Sequence, residues 1–187
     1  MDQALTVPPG RMSRAEFYRW AAEQPRGRFE LVAGRVVAMS PERGAHLRAK
    51  AAIWRALADA IAAAGLPCQA LPDGATVEVD DDTAHDPDAT VNCGAPMADD
   101  AIAAPNPVVV VEVLSPGTRA VDTGAKLTDY FRVPSVQHYL MVRTDRRVLV
   151  HHRRNGMGGI DTALLSAGEL RLNPPGLTLS VEALFGA

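Results

Sequence analysis

At 187 residues, with 47% hydrophobic and 22% charged side chains, the chain is long enough for one domain with a full core and is not compositionally disordered. Its formal net charge of −3 excludes a protein that grips nucleic acid by diffuse positive charge, so any such contact has to be local. No uncharged apolar run approaches the ~20 residues of a membrane span, and residues 1–10 lack the basic and apolar segments of a signal peptide, so a soluble, cytoplasmic protein is expected.

The chain reads as a single domain over 1–187 with a short flexible tail at 1–11, without internal repeat or linker. Ser13-Arg14-Ala15-Glu16 is a capping box, in which the Ser and Glu side chains satisfy amide donors at a helix start, and Phe17, Trp20 and Ala21 form that helix's buried stripe. Over residues 28–39 two short strands flank Gly34, which takes readily to the left-handed backbone of a tight hairpin, with Ala33 an unusual companion. Ser40-Pro41 is expected to open the longest helix, and Gly65 followed by Pro67 to close it. Leu47, Ala51, Trp54, Ala58 and Ile61 recur at helical spacing and mark its core face. His46 and Lys50 lie one turn apart beside that face; Lys50 reads as a solvated position, and His46 as either solvated or part of a site.

Cys68 and Cys93 form no CxxC or Cys/His ligand pattern, so two buried reduced thiols are expected. Short strands follow at 69–71, 75–79 and 89–91, separated by turn residues such as Pro72-Asp73-Gly74. The segment 107–114 differs: Val108 to Leu114 is apolar on both faces, the pattern of a central strand covered by helices on each side, interrupted only by Glu112. Residues 115–118 make a loop and 121–131 a helix that Pro134 ends. Strands near 137–142 and 147–152, weaker ones near 162–165 and 177–179, and a final helical turn capped by Ser180 complete an α/β fold, of α+β type, with a central mixed sheet flanked by helices. Arginine is dense between Arg143 and Arg154, which reads as a solvated edge strand and turn or as a local nucleic-acid contact; His151 and His152 point to opposite faces and read as surface residues.

A carboxylate inside a strand as apolar as the one holding Glu112 costs several kcal/mol, on the order of more for an unpaired charge, unless it is paired, protonated or bound to a metal. Asp88 follows Pro87 at the start of another strand. If the two strands are neighbours, Asp88 and Glu112 converge at one end of the sheet, and a hard divalent cation, Mg²⁺ or Mn²⁺, removes their repulsion. Lys126, on the helix returning from the Glu112 strand, can fold back over them, and Glu30 in Phe29-Glu30-Leu31-Val32 is a further isolated acid, a third ligand or a general base. Simpler roles stand beside these: Glu112 at an exposed strand end or paired with arginine, Asp88 in a turn, Lys126 in a salt bridge with Asp122, Glu30 as a cap or pair. Asp80-Asp81-Asp82 lacks the glycine and glutamate of a calcium loop and reads as a solvated turn, and Ser115 has no nucleophile elbow around it.

Phe29-Glu30-Leu31-Val32-Ala33-Gly34, Met39-Ser40-Pro41, His46, Pro87-Asp88-Ala89, Glu112-Val113-Leu114-Ser115-Pro116-Gly117-Thr118, Asp122, Lys126, Tyr130 and Pro134-Ser135-Val136, in this order and spacing, resemble the putative restriction endonuclease family, abundant in cyanobacteria, of the PD-(D/E)xK nuclease superfamily. The resemblance implies a restriction-endonuclease-like core in which Asp88 and Glu112 bind Mg²⁺ and water activated there attacks a phosphodiester of DNA. It also implies that Lys126 stands in for the superfamily lysine, whose usual place is Leu114, and that Glu30 is an additional acid. A homodimer is expected, since cutting both strands often pairs two sites by two-fold symmetry. Two other functions fit the residues: a non-catalytic nucleic-acid or protein binding module, suggested by Leu114 and the acidic charge, and a metal-dependent hydrolase of a smaller phosphoester.

Overall fold

The structure, a computed structural model, describes residues 7–114 and 120–185. The predicted 115–118 loop and Ser115 lie outside them, as do residues 1–6 of the tail; Val7 packs with Met12 against the N-terminal cluster. Helix α1 (Arg14–Ala22) begins with the predicted capping box: the Ser13 amide donates to the Glu16 carboxylate at 2.8 Å, and the Glu16 amide to Ser13 Oγ at 3.4 Å. Phe17 is buried, and Trp20 and Ala21 pack half-buried on the same cluster. Strands β1 (Phe29–Val32) and β2 (Arg35–Ala38) form the expected hairpin, with Ala33 at φ 48 and Gly34 at φ 76. Two successive left-handed residues give the turn a twist that matches the strands, and Ala33 carries the steric cost.

Helix α2 (Gly44–Ala64) starts later than Ser40-Pro41; Arg43 precedes it without a side-chain cap, while Gly65 at φ 60 closes it as expected. Its core face is also rotated from the predicted one. Ala49, Ile53, Leu57 and Ile61 are buried, whereas Leu47 and Trp54 are exposed. Alanine on every side of this helix leaves the phase open to spacing alone, and the sheet takes the stripe carrying Ile53 and Leu57. Each of these, fully buried, contributes roughly 1.5–3 kcal/mol.

Then follow β3 (Cys68–Pro72), β4 (Val77–Glu78), β5 (Ala84–His85), β6 (Ala89–Cys93), β7 (Pro107–Leu114), α3 (Ala120–Arg132), β8 (His138–Arg143), β9 (Val148–Arg154), β10 (Ile160–Leu165), β11 (Glu169–Leu172), β12 (Leu177–Ser180) and a 3₁₀ turn, Glu182–Phe185. The main sheet runs β10-β9-β8-β7-β6-β3, with β7 and β8 parallel and the other neighbours antiparallel. A smaller sheet, β2-β1-β5-β4, stands beside it. Strand β7 is central and buried on both faces as its composition predicts: Val109, Val111 and Val113 pack toward α2, and Val110 packs with Tyr130 and Phe131 of α3. None of the described helices is long and apolar enough to cross a membrane.

Two expectations are overturned here. Cys68 and Cys93 are directly opposite in the β3–β6 pairing, with Cα atoms 4.0 Å apart, and form a disulfide. Strand register produces this pair, and a separation of 25 residues gave no sign of it. Strand β9 is not an edge: it lies between β8 and β10, and His151 and His152, though on opposite faces, are only 6% and 7% exposed. Of the arginines around them, Arg146 and Arg153 are exposed as expected, and Arg154 is tied into the fold. Arg154 donates to the carbonyls of Phe131, Val133 and Val136 and lies over the Phe131 ring, and Arg147 lies over Phe185.

The buried histidines are expected to make the fold acid-sensitive. His138 Nε2 donates to the Pro174 carbonyl at 2.8 Å, which leaves Nδ1 to accept from His151 Nε2 at 2.9 Å, so both rings are neutral. Burial, with Arg153 nearby, holds each at about 4. The unfolded chain takes up these protons first, near 6.5, so stability is complete above that pH and falls as pH drops toward 4. Denaturant unfolding across this window is expected to lose on the order of 3 kcal/mol per histidine in the wild type, with a shallower slope in His138→Gln. Equal slopes would remove the histidine pair from the explanation.

Candidate active site

The sheet end where β7 finishes and β6 begins gathers the predicted acids. Ala89 pairs with Val111, so one step further along the antiparallel register Asp88 stands across from Glu112. The Asp88 amide donates to the Val111 carbonyl at 3.0 Å, and Asp88 Oδ2 accepts from the Val113 amide at 2.6 Å. The side chain thereby continues the hydrogen-bond ladder past the end of β6. This fixes one carboxylate oxygen and leaves Oδ1 free to face α2.

Alternation along β7 turns Glu112 toward α3, and its side chain is 13% exposed. Lys126 and Tyr130 meet it from consecutive turns of that helix. Lys126 Nζ donates to Glu112 Oε1 at 2.9 Å and to Glu30 Oε1 at 2.8 Å, and the Tyr130 hydroxyl donates to the same Glu112 oxygen at 2.6 Å. Glu30 arrives from β1 of the smaller sheet and also accepts from the Asp86 amide at 2.9 Å. The simpler roles for Lys126 and Glu112, an exposed salt bridge and an exposed strand end, do not describe this arrangement; the Asp122 side chain lies outside the described residues.

Burial acts against charge on every member, and the partners decide the outcome. For Glu30, burial is outweighed by His85 and Lys126, which hold its carboxyl at about 2. For Lys126, burial is outweighed by Glu112 and Glu30, which keep the ammonium protonated well above neutral pH. Glu112 goes the other way: burial, and after it the negative charges of Asp88 and Glu30, push it up against the pull of Lys126. Burial and Glu112 likewise raise Tyr130, which stays a hydroxyl donor. Behind Glu30, His85 Nε2 lies 2.9 Å from Asp129 Oδ2, and Nδ1 lies 3.8 Å from Glu30 Oε2, a charge contact and not a hydrogen bond. His85 is raised despite its burial because of these two acids.

On the α2 side, His46 Nε2 and Lys50 Nζ each lie 3.4 Å from Asp88 Oδ1. Lys50 is not solvated: it is 6% exposed and donates to Glu42 Oε1 and Asp73 Oδ2, both at 2.6 Å. Arg28 closes this network on Glu42, Asp73 and Asp86. Among the described residues, Glu42, His46 and Asp88 bring ligand atoms within 4.8 Å of one another. Glu42 Oε2 is buried with no hydrogen-bond partner among those residues. A cation satisfies such an orphaned oxygen, and two carboxylates with an imidazole are a donor set for a divalent ion of the Mg²⁺, Mn²⁺ or Zn²⁺ kind. The residues fit a metal.

The four predicted site residues thus meet at one sheet end, Asp88 in the plane, Glu112, Lys126 and Glu30 on the α3 face. Glu42, Lys50, His85 and Asp129 were not singled out as site residues by sequence reasoning. Glu42 stands four residues before His46, a usable signal, but it precedes the helix and projects from an extended segment. His85 lies in a two-residue strand with no periodicity to read.

A family model described as Uma2, putative restriction endonuclease, matches residues 14–184. An uncharacterized protein of Synechocystis sp. (strain ATCC 27184 / PCC 6803 / Kazusa), slr1290, is 32% identical over 80 residues, which is 42% of this chain and 42% of that relative. The crystal structure of a putative nuclease belonging to DUF820 from Anabaena variabilis ATCC 29413 is similar with a TM-score of 0.72 at 16% identity, over 93% of this chain and 97% of that one, and so shares the fold. The matched span holds Glu30, Asp88, Glu112 and Lys126 together, and the chain belongs to the Uma2 family of putative restriction endonucleases.

Proposed function

We propose that this protein is a metal-dependent endonuclease that hydrolyses phosphodiester bonds in DNA, with Mg²⁺ as its cation and Mn²⁺ as a substitute. The observation that carries the reading is the meeting, at one sheet end, of the Glu42–His46–Asp88 cluster with a buried lysine held by Glu112 and Glu30. The family description supports the nuclease class. Asp88 is the shared ligand in this reading: Glu42 and His46 reach it from the α2 side, and Glu112 serves from the α3 side. When bound, a divalent cation supplies Lewis acidity, making water more acidic and offsetting negative charge on a phosphate.

The chain's own side chains supply the remainder. Lys126, kept protonated, is no general base at neutral pH; it is a fixed positive charge for a phosphoryl group that gains charge in the transition state. Glu112, a cation ligand in this reading, is held ionised by that cation and by Lys126 against the burial that raises it. Tyr130 and Lys126 fix its orientation, Glu30 fixes Lys126, and His85 with Asp129 backs Glu30. A two-fold dimer would supply the second site needed to cut both strands of a duplex.

Incubated with single- and double-stranded DNA, the protein is expected to cleave in Mg²⁺ or Mn²⁺ and to stop when EDTA is added. A preparation that binds Mn²⁺ yet cleaves neither DNA would instead support the non-catalytic binding module, which Leu114 at the usual lysine position favours.

A further inference from the structure

The stripe of α2 that faces away from the core borders the same site. Leu47, Ala51 and Trp54 follow at helical spacing, with Leu47 51% and Trp54 36% exposed. A tryptophan usually contributes by burying its large apolar ring, and this one is left partly open. Its ring is nonetheless fixed: Nε1–H donates to the Ala70 carbonyl of β3, the outer strand of the main sheet, at 2.9 Å. Between this stripe and Pro72 runs a cleft of about 210 Å³, and Asp88, Lys50 and Asp73 also line it. Apolar walls therefore lead to the carboxylate at which the proposed function places the cation.

A held indole, an aliphatic wall and hydrogen-bonding groups nearby suit one flat, uncharged aromatic ring with a polar edge. Charge selects the ring over a phosphate. Asp73, Asp88 and Glu42 surround Lys50, so an anion entering the cleft is repelled, whereas a neutral base is not. Size selects a single ring system over a duplex or a partner helix, whose diameter of roughly 10–12 Å such a volume does not admit. Stacking on an aromatic side chain is tolerant of sequence, because every base has a π-face.

We propose that this cleft seats one unpaired nucleobase of the strand being cut, stacked on Trp54, with the adjoining phosphate outside the cleft, beside the cation that the proposed function assigns to Asp88. The proposal rests on the nuclease reading and adds to it a substrate preference, for single-stranded or locally opened DNA.

Trp20→Phe leaves Trp54 as the single indole of the chain, and adding Glu112→Gln prevents cleavage during binding measurements. In that protein, with Mg²⁺, a 12-nucleotide single-stranded oligonucleotide is expected to quench Trp54 fluorescence saturably, and the duplex of the same sequence is not. Trp54→Ala is expected to weaken binding of the single strand about 5- to 100-fold. Trp54→Phe keeps most of the affinity, while Trp54→Leu, which still covers β3 but cannot stack, loses it as Trp54→Ala does. Unchanged affinity in Trp54→Leu in a protein that cleaves DNA would overturn the base seat alone. So would a dimer in the wild type that Trp54→Ala converts to a monomer by light scattering without affecting DNA binding, which assigns the stripe to a second copy. Absence of cleavage by the wild type, with selective quenching of Trp54 intact, would overturn the nuclease reading and keep the seat.

Discussion

Asp88→Asn and Glu112→Gln are each expected to lower metal-dependent DNA cleavage by at least about 10²–10³-fold in kcat/KM, a loss of roughly 3–4 kcal/mol of transition-state stabilisation. Both substitutions keep shape and remove charge. Asparagine still offers an oxygen to the Val113 amide, so the ladder at the end of β6 survives and the loss is chemical. Glutamine at 112 still accepts from Tyr130 and Lys126. The two variants should differ in how metal rescues them. Asp88 is common to the Glu42–His46 cluster and to the electrostatics of Glu112, so Asp88→Asn should resist higher Mn²⁺. Glu42→Gln and His46→Ala, which leave Asp88 in place, should instead raise the Mn²⁺ concentration needed for half-maximal rate. Steady-state cleavage over a Mn²⁺ series, with circular dichroism confirming the fold, checks this. Activity within a factor of three of wild type in either Asp88→Asn or Glu112→Gln would remove that residue from the site.

The largest effect on stability is expected from Lys126→Met. Lys126 is 7% exposed, and its ammonium is the shared partner of Glu30 and Glu112. Removing one partner of a buried ion pair leaves an uncompensated charge and typically costs about 3–5 kcal/mol. The pH dependence gives this prediction its sign. In the wild type Glu30 is depressed to about 2, so its contribution is present above the ordinary carboxylate value near 4.5 and is lost as pH falls toward 2. Without Lys126 that depression is reduced, and protonating the acids relieves the repulsion. The deficit of Lys126→Met relative to wild type should therefore be largest at neutral pH and shrink below about pH 4.5. Adding Glu30→Gln should recover part of it at neutral pH. Urea unfolding at several pH values decides the matter, and a deficit independent of pH would mean that lost packing, not charge, is responsible.

The central strand was legible because a single acid in a run of valines has few explanations. Val108 to Val113 announced a strand covered on both faces, and the same pattern made Glu112 conspicuous. Asp88 was legible only in combination with it, and the antiparallel register of β6 and β7 is what sets the two opposite. Lys126 could be placed only through its position on the helix returning from the Glu112 strand and through the family resemblance; the parallel pairing of β7 and β8 that carries the helix back over the sheet was not legible. Features that depend on register or rotation were not legible. The rotation of α2 was misread because alanine is spread around the helix and the bulky Leu47 and Trp54 look like core residues; this also hid Lys50, which lies on the inward side. Glu42 precedes the helix, where no period constrains its direction. The Cys68–Cys93 pair and the burial of His151 follow from which strands are neighbours, which single-strand patterns do not encode.

The most direct test of the account is a crystal soaked in millimolar Mn²⁺, with anomalous scattering used to find the ion. The predicted result is a peak about 2.0–2.6 Å from a carboxylate oxygen of Asp88, with Glu112, Glu42 or His46 completing the ligand set, absent from Asp88→Asn. A peak that persists in Asp88→Asn, or no ion at this sheet end in the wild type, would contradict a metal site built on Asp88.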